Sequence, residues 1–263
     1  MMDWGMANRL HRIIQPDGRT VMLAVDHGYF MGPTTGLEDL GATVRPLLPY
    51  ADAIMLTRGA LRNYIPPEKT VPIVLRVSGG SSILAINEGK WLESVNVDIE
   101  DCIRLNVCAM AVQVFIGDVG EKESLENLSH LVNVGERYGI PVLGVTAVGK
   151  QLTRDARYLA MAGRIIAELG AHVNKTYYCE GFEEVVARVP VPIVMAGGKK
   201  TDERSALELA RNAITAGAVG VDMGRNIFQS DSPVGMMKAV RAVVHENATV
   251  DDAFEVYRAE RGE

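Results

Sequence analysis

What most constrains this chain is a rhythm: eight short runs rich in Val and Ile, separated by longer stretches with apolar residues three and four positions apart. The runs cover residues 20–26, 51–57, 72–77, 109–116, 141–147, 172–178, 192–197 and 219–224. Strands of a parallel sheet are buried on both faces and need a crossover helix between them, so this alternation predicts successive βα units. Leu159, Ala162, Ile166 and Leu169 mark one covering helix, and Leu207, Ala210 and Ile214 mark another. Helix starts are signalled by Ser232-Pro233, a hydroxyl cap before a first-turn proline, and by Thr249 with Asp252 at capping-box spacing.

Eight units without a break can close into a barrel or lie open as a doubly wound sheet. The chain has 263 residues, and roughly 250 is the usual size of one (β/α)8 barrel. Size and count therefore favour an α/β chain folded as a single TIM barrel over residues 1–263. No Ser/Gly linker, low-complexity block or charge run divides it. Residues 81–97 are long for a βα loop and are expected to form a lid or a small excursion.

Composition narrows the partners. With 27 Lys plus Arg against 33 Asp plus Glu, the net charge is −6, so the chain lacks the basic footprint of a nucleic-acid binder, although small anions can still be held locally. The start Met1-Met2-Asp3-Trp4-Gly5-Met6 lacks the basic and apolar regions of a secretory signal. No stretch approaches the roughly 18 apolar residues of a membrane span. Cys102, Cys108 and Cys179 form no Cys-x-x-Cys pair, which suits reduced thiols. The expectation is a cytoplasmic protein with no membrane or nucleic-acid partner.

In a barrel the site lies at the C-terminal ends of the strands. The sixth run reads His172-Val173-Asn174-Lys175-Thr176-Tyr177-Tyr178, and alternation puts Val173, Lys175 and Tyr177 on one face. If that face points inward, desolvation penalises the Lys175 ammonium and favours the neutral amine, which attacks carbonyls to form a Schiff base. If it points outward, Lys175 snorkels into solvent. The first run ends Ala24-Val25-Asp26-His27-Gly28, which puts a carboxylate and an imidazole at the same mouth. Asp26 is suited to moving protons, with His27 beside it as a second catalytic candidate, and a simple strand-end turn is the competing reading. Runs seven and eight end in Gly197-Gly198-Lys199 and Gly224-Arg225. Bare backbone N–H groups and a cation there suit a phosphate.

Other residues read as structural. His11, His27, His130, His172 and His245 include no pair at helical ligand spacing, so no metal site is expected. Cys179 has no evident base nearby and reads as a small loop-end thiol. Met22, Met223, Met236 and Met237 read as packing residues.

Over nearly its whole length the sequence resembles the Schiff-base (class I) aldolases, the superfamily of archaeal-type fructose-bisphosphate aldolase and deoxyribose-phosphate aldolase. The resemblance rests on Met22-Leu23-Ala24-Val25-Asp26-His27-Gly28-Tyr29-Phe30, Gly32-Pro33-Thr34-Thr35-Gly36-Leu37, Asn174-Lys175-Thr176-Tyr177-Tyr178, and the stretch from Val221 to Asp231. Within the superfamily these stretches are most similar to the branch of autoinducer-2-phosphate-processing thiolases, which act on 3-hydroxy-5-phosphonooxypentane-2,4-dione. It implies an imine on Lys175, proton transfer by Asp26, and a phosphate site including Gly198, Gly224 and Arg225. It also implies a homo-oligomer, a ring-based decamer, with no bound cofactor and with coenzyme A as co-substrate if the reaction is thiolytic. One departure bears on the reaction. Archaeal-type aldolases carry a tyrosine in a Tyr-Pro-Arg-Gly stretch after strand five, and this chain has Thr146-Ala147-Val148-Gly149-Lys150 with Ala147 at that position. Losing the phenol disfavours fructose-bisphosphate cleavage and leaves the thiolase reading first. The lyase is the alternative, and a non-catalytic phosphosugar-binding protein is the third possibility.

Overall fold

A computed structural model describes residues 3–68, 71–148 and 153–262; Gly149 and Lys150 of the strand-five comparison lie outside them. Eight strands form one closed parallel barrel: β1 (Thr20–Ala24), β2 (Ala53–Thr57), β3 (Ile73–Arg76), β4 (Ala109–Val114), β5 (Val142–Thr146), β6 (Val173–Tyr177), β7 (Ile193–Ala196) and β8 (Gly220–Met223). Each lies inside one of the eight apolar runs, and each pairs with its sequence neighbours, with β1 against β8 closing the ring. The single (β/α)8 barrel expected from the rhythm is the fold.

Strand alternation divides the apolar residues into two sets. Met22, Ala24, Met55, Val74, Ala111, Leu143, Val145, Val173 and Val194 fill the barrel interior, joined at one end by Ile13 from the N-terminal helix Trp4–Ile13. The alternate residues, among them Val21, Leu23, Ile54, Leu56, Val112 and Val221, face the helices in a larger shared core. Covering helices begin where a side chain can take up orphan N–H groups. Asp155 caps Ala156–Glu168, Asp202 caps Glu203–Thr215, and Thr249 caps Val250–Arg261 by accepting the Asp252 N–H.

The helix Pro233–His245 starts at its proline as expected, but the Ser232 hydroxyl makes no capping bond. Its backbone instead turns so that the Ser232 N–H donates to Ser230 Oγ at 3.1 Å, and proline at the first position already removes one donor that needs a cap. Segment 81–97 holds a short helix, Ile83–Asn87, and Ser94–Val95, which pairs antiparallel with Ser78–Gly79. Among the described residues no helix is long and apolar enough to cross a membrane.

Ring closure is tight at β8. A Cβ on Gly220 would lie 1.9 Å from the Thr20 carbonyl oxygen on the adjacent strand. We expect Gly220→Ala to destabilise the barrel by about 1–3 kcal/mol, since backbone cannot step aside as a flexible side chain can. Thermal unfolding checks this, and an unchanged melting temperature would refute the closure argument.

Candidate active site

Four charged side chains from four places in the barrel meet at its C-terminal mouth. Lys175 on β6 and Asp222 on β8 both point inward, with Lys175 Nζ 2.8 Å from Asp222 Oδ2. Arg76, the last residue of β3, donates from Nε to Asp26 Oδ2 at 2.9 Å, two residues beyond β1. All four are buried. Of the two readings open for Lys175, the inward one holds.

These charges set one another's ionisation. Burial opposes the charged form of Asp26, but the Arg76 guanidinium, with Lys175 and His27 adding to it, holds the carboxyl below the usual carboxylate range. Asp222 goes the other way: burial pushes it up, and the adjacent Lys175 only partly offsets the shift. Neither Asp222 oxygen receives a well-angled hydrogen bond, so the ion pair leaves acceptor capacity facing the cavity. His27 is buried enough that its imidazole pKa falls from 6.5 to about 4, with Asp26 opposing the fall and Arg225, Lys175 and Arg76 reinforcing it.

The sequence-derived candidates converge. Asp26, His27, Lys175, Gly197, Gly198, Gly224 and Arg225 all line one cavity of about 120 Å³, shared with Tyr29, Arg76, Trp91, Gln113, Tyr177 and Asp222. The glycines have separate reasons to be glycine. Gly198 has φ +70°, a conformation L side chains rarely adopt. A Cβ on Gly224 would come within 2.4 Å of the Ala24 carbonyl oxygen. Asn226, fully buried, ties the two glycine turns together: its Nδ2 donates to the Gly197 and Lys199 carbonyls, and its Oδ1 accepts the Thr201 N–H. Gly197 N–H already donates to the Asp222 carbonyl, so what Gly197 offers a ligand is space.

Arg225 Nε is buried without a partner among the described residues. Burial weakens Arg225's hold on its proton, and the nearby Arg154 charge adds to this, while Arg154 itself stacks over Tyr177 at 3.7 Å from the ring centroid. Two guanidinium groups therefore lie near Tyr177 at one edge of the cavity, an arrangement that suits an anion.

Arg76, Asp222, Tyr29, Trp91 and Asn226 were not singled out from the sequence. A usable signal existed for two of them. Arg76 and Asp222 are charges embedded in apolar runs, Arg76 at the parity of the interior residue Val74 and Asp222 at the parity opposite to the helix-facing Val221. Ala147 is buried just beyond β5, where the Tyr158 phenol donates to the Ile116 and Ala147 carbonyls and does not line the cavity. Cys179 is buried and its thiol pKa is pushed up, the behaviour of an inert packing thiol. The histidines other than His27 are occupied elsewhere: His245 with Asp17 and Asp52, His172 with Glu136 and the Val142 N–H, and His11 with the Ala7 carbonyl, while His130 lies on the helix Glu121–Tyr138. Among the described residues no three His, Cys, Asp or Glu are grouped to hold a metal ion.

The His27 environment has a measurable consequence. Burial disfavours the imidazolium, so as pH falls from 6.5 towards 4 the unfolded chain takes up a proton that the folded chain refuses, and His27 lowers stability across that window. In an NMR titration its ring signals are expected to shift with a midpoint near pH 4. A midpoint near 6.5 would show an imidazole open to water.

Comparison with known proteins agrees with this geometry. Residues 20–230 match the model of the DeoC/LacD family aldolases. Over 262 residues the chain is 55% identical to the 3-hydroxy-5-phosphonooxypentane-2,4-dione thiolase of Escherichia coli K12, covering 99% of this chain and 89% of that one. An aldolase of Pasteurella multocida without an assigned activity is 54% identical over the same share of both chains. Among solved structures, a Schiff-base-forming fructose-1,6-bisphosphate aldolase superposes with TM-score 0.83 at 25% identity, covering 91% of this chain and all of that one. An archaeal fructose-1,6-bisphosphate aldolase, whose catalytic lysine was captured bound to a carbinolamine of its substrate, superposes with TM-score 0.81 at 25% identity, covering 91% and 99%. A family match over most of the barrel, together with a relative more than half identical along the full length, makes this chain a member of the DeoC/LacD family of class I aldolases.

Proposed function

We propose that this protein is a Schiff-base thiolase that cleaves a phosphorylated diketone, 3-hydroxy-5-phosphonooxypentane-2,4-dione, giving an acetyl thioester and dihydroxyacetone phosphate. The observation that carries the reading is the shared cavity: a buried lysine amine at its centre, an acceptor carboxylate 2.8 Å away, and the Gly198, Gly224 and Arg225 turns on one side. The 55% identical thiolase supports this substrate over others of the superfamily.

Each group has a task its environment suits. Arg225 and the glycine turns take the phosphate, as helix starts and bare backbone do after strands seven and eight of such barrels. Lys175 must lose a proton before it can attack the C4 carbonyl, and Asp222, whose affinity for a proton is raised by burial, is the acceptor at hand. The resulting iminium at C4 withdraws electrons from the C2–C3 bond. Asp26, held ionised by Arg76, accepts a hydrogen bond or proton from the substrate hydroxyl. His27, neutral across the physiological range, packs edge-on against Phe228 and closes the mouth beside Arg225.

Coenzyme A is the thiol proposed to receive the acetyl group; the protein itself supplies the imine lysine and needs no bound cofactor for that step. Ala147 supports thiolysis over sugar-bisphosphate cleavage, because among the described residues no phenol from the end of β5 reaches the cavity. We also propose a cytoplasmic location, from the cysteine usage and the sequence start, and a ten-subunit ring, from the resemblance. The apolar Trp4, 79% exposed on the first helix, is a surface such a contact would cover, and light scattering would show the assembly.

Turnover of the diketone phosphate is expected to require coenzyme A, with equal turnover in its absence overturning the thiolase reading. Lys175→Met should reduce turnover to background while leaving inorganic phosphate binding intact. Arg225→Ala should raise KM by about 10- to 100-fold, the worth of a charged hydrogen bond, and a normal KM would remove Arg225 from the phosphate site.

A further inference from the structure

The proposed reaction creates negative charge at a place the residues so far leave unattended. Phosphate turns β7 and β8 lie directly across the ring from β3 and β4. A substrate anchored there by its phosphate, and by its C4 carbon to Lys175 on β6, must extend its acetyl end towards β3 and β4. The wall on that side is made of Tyr29, Arg76, Trp91 and Gln113.

Two N–H groups on this wall have no partner among the described residues: Arg76 Nη1 and Trp91 Nε1, both buried. Buried donors are ordinarily satisfied, and an orphan at a cavity wall points to something that arrives. Arg76 is 4% exposed and uses its Nε on Asp26, which fixes the plane of the guanidinium and leaves Nη1 over.

Trp91 belongs to the 81–97 excursion, and the excursion is built to hold it still. The Ser81 hydroxyl accepts the Leu92 N–H at 2.8 Å and donates to the Leu92 carbonyl at 2.7 Å. The indole packs on Phe115 with ring centroids 5.0 Å apart. Glu93, 2% exposed, accepts hydrogen bonds from Tyr29 Oη and Ser78 Oγ, each at 2.7 Å, and fastens the excursion to the barrel mouth. The segment expected to form a lid or a small excursion is tied to the barrel mouth by these bonds and carries one indole N–H.

We infer that Arg76 and Trp91 form the acyl subsite, their Nη1–H and Nε1–H groups donating to the methyl-ketone oxygen as it becomes anionic under attack by a thiolate. This rests on the thiolase reading above. In the step, the thiolate sulfur bonds to C2 and the carbonyl π pair moves onto oxygen, where the two donors receive it. The C=O bond then re-forms and C2–C3 breaks, its electron pair passing into the C4 iminium to leave a neutral enamine on Lys175 and a neutral thioester. Protonation at C3 and addition of water release the ketone and the lysine. Fixed donors aimed at developing charge act on the transition state more than on bound substrate.

Trp91→Phe keeps the ring and removes the N–H. The expected result is a loss of about 100-fold in kcat for thiolysis, a KM for the diketone within about threefold of the parent, and an unchanged rate of solvent deuterium exchange into dihydroxyacetone phosphate, which needs the imine and enamine but has no acyl end. An unchanged thiolysis kcat would overturn the inference. So would a parallel fall in deuterium exchange, which would make Trp91 a prop for the whole mouth. Absence of thiol-dependent cleavage in the parent enzyme would instead overturn the thiolase reading beneath it.

Discussion

Everything at the mouth of this barrel depends on burying two cations and two anions together. Lys175 with Asp222 and Arg76 with Asp26 are nearly inaccessible to water, where an isolated charge would cost several kcal/mol. The quartet is neutral as a whole, so the barrel tolerates it, yet its members sit on or just beyond four different strands. Only a ring closed in the right register brings them into range, and removing one member strands its partner. The balance also makes the site reactive. A proton passing from Lys175 to Asp222 leaves a neutral amine and a neutral acid in place of an ion pair, and burial has already moved Asp222 in that direction.

Around this balanced centre the rim is unbalanced. Arg225 lines the opening and Arg154 stacks on its Tyr177 edge, neither with a carboxylate partner among the ion pairs described, on a chain whose net charge is −6. In the proposed function a phosphorylated substrate is drawn to this side of the mouth, where Asn226 ties the two glycine turns together. In the proposed reaction, a phosphate held at the rim would bring the carbonyl carbon to Lys175 at the centre.

How much of this was readable in advance differs residue by residue. The eight apolar runs carried the barrel because a strand buried on both faces has to be written in apolar residues, and Lys175 could be placed by period-two alternation once its run was known. Gly198 is visible in a glycine pair and Gly224 in a Gly-Arg step at strand ends, although which constraint each one meets, positive φ or close approach, needs the neighbouring backbone. Arg76 and Asp222 are legible only by parity, as charges on the inward face of apolar runs, a weaker local signal than a glycine turn. Trp91, Glu93 and Tyr29 were beyond reach. The Tyr29 to Glu93 bond spans 64 positions, and no local pattern in 81–97 announces that its turn folds back onto the mouth. Ser232 errs for a different reason: the propensity was correct for the helix start, but Ser230 competed for the local hydrogen bond.

The claim on which the rest stands is that the Lys175 amine is the nucleophile. Borohydride reduction in the presence of dihydroxyacetone phosphate, followed by intact-mass and peptide analysis, tests it directly. A single stable adduct on the peptide containing Lys175 is the result expected. An adduct on another lysine, or none under conditions where dihydroxyacetone phosphate is shown separately to bind, would contradict the account.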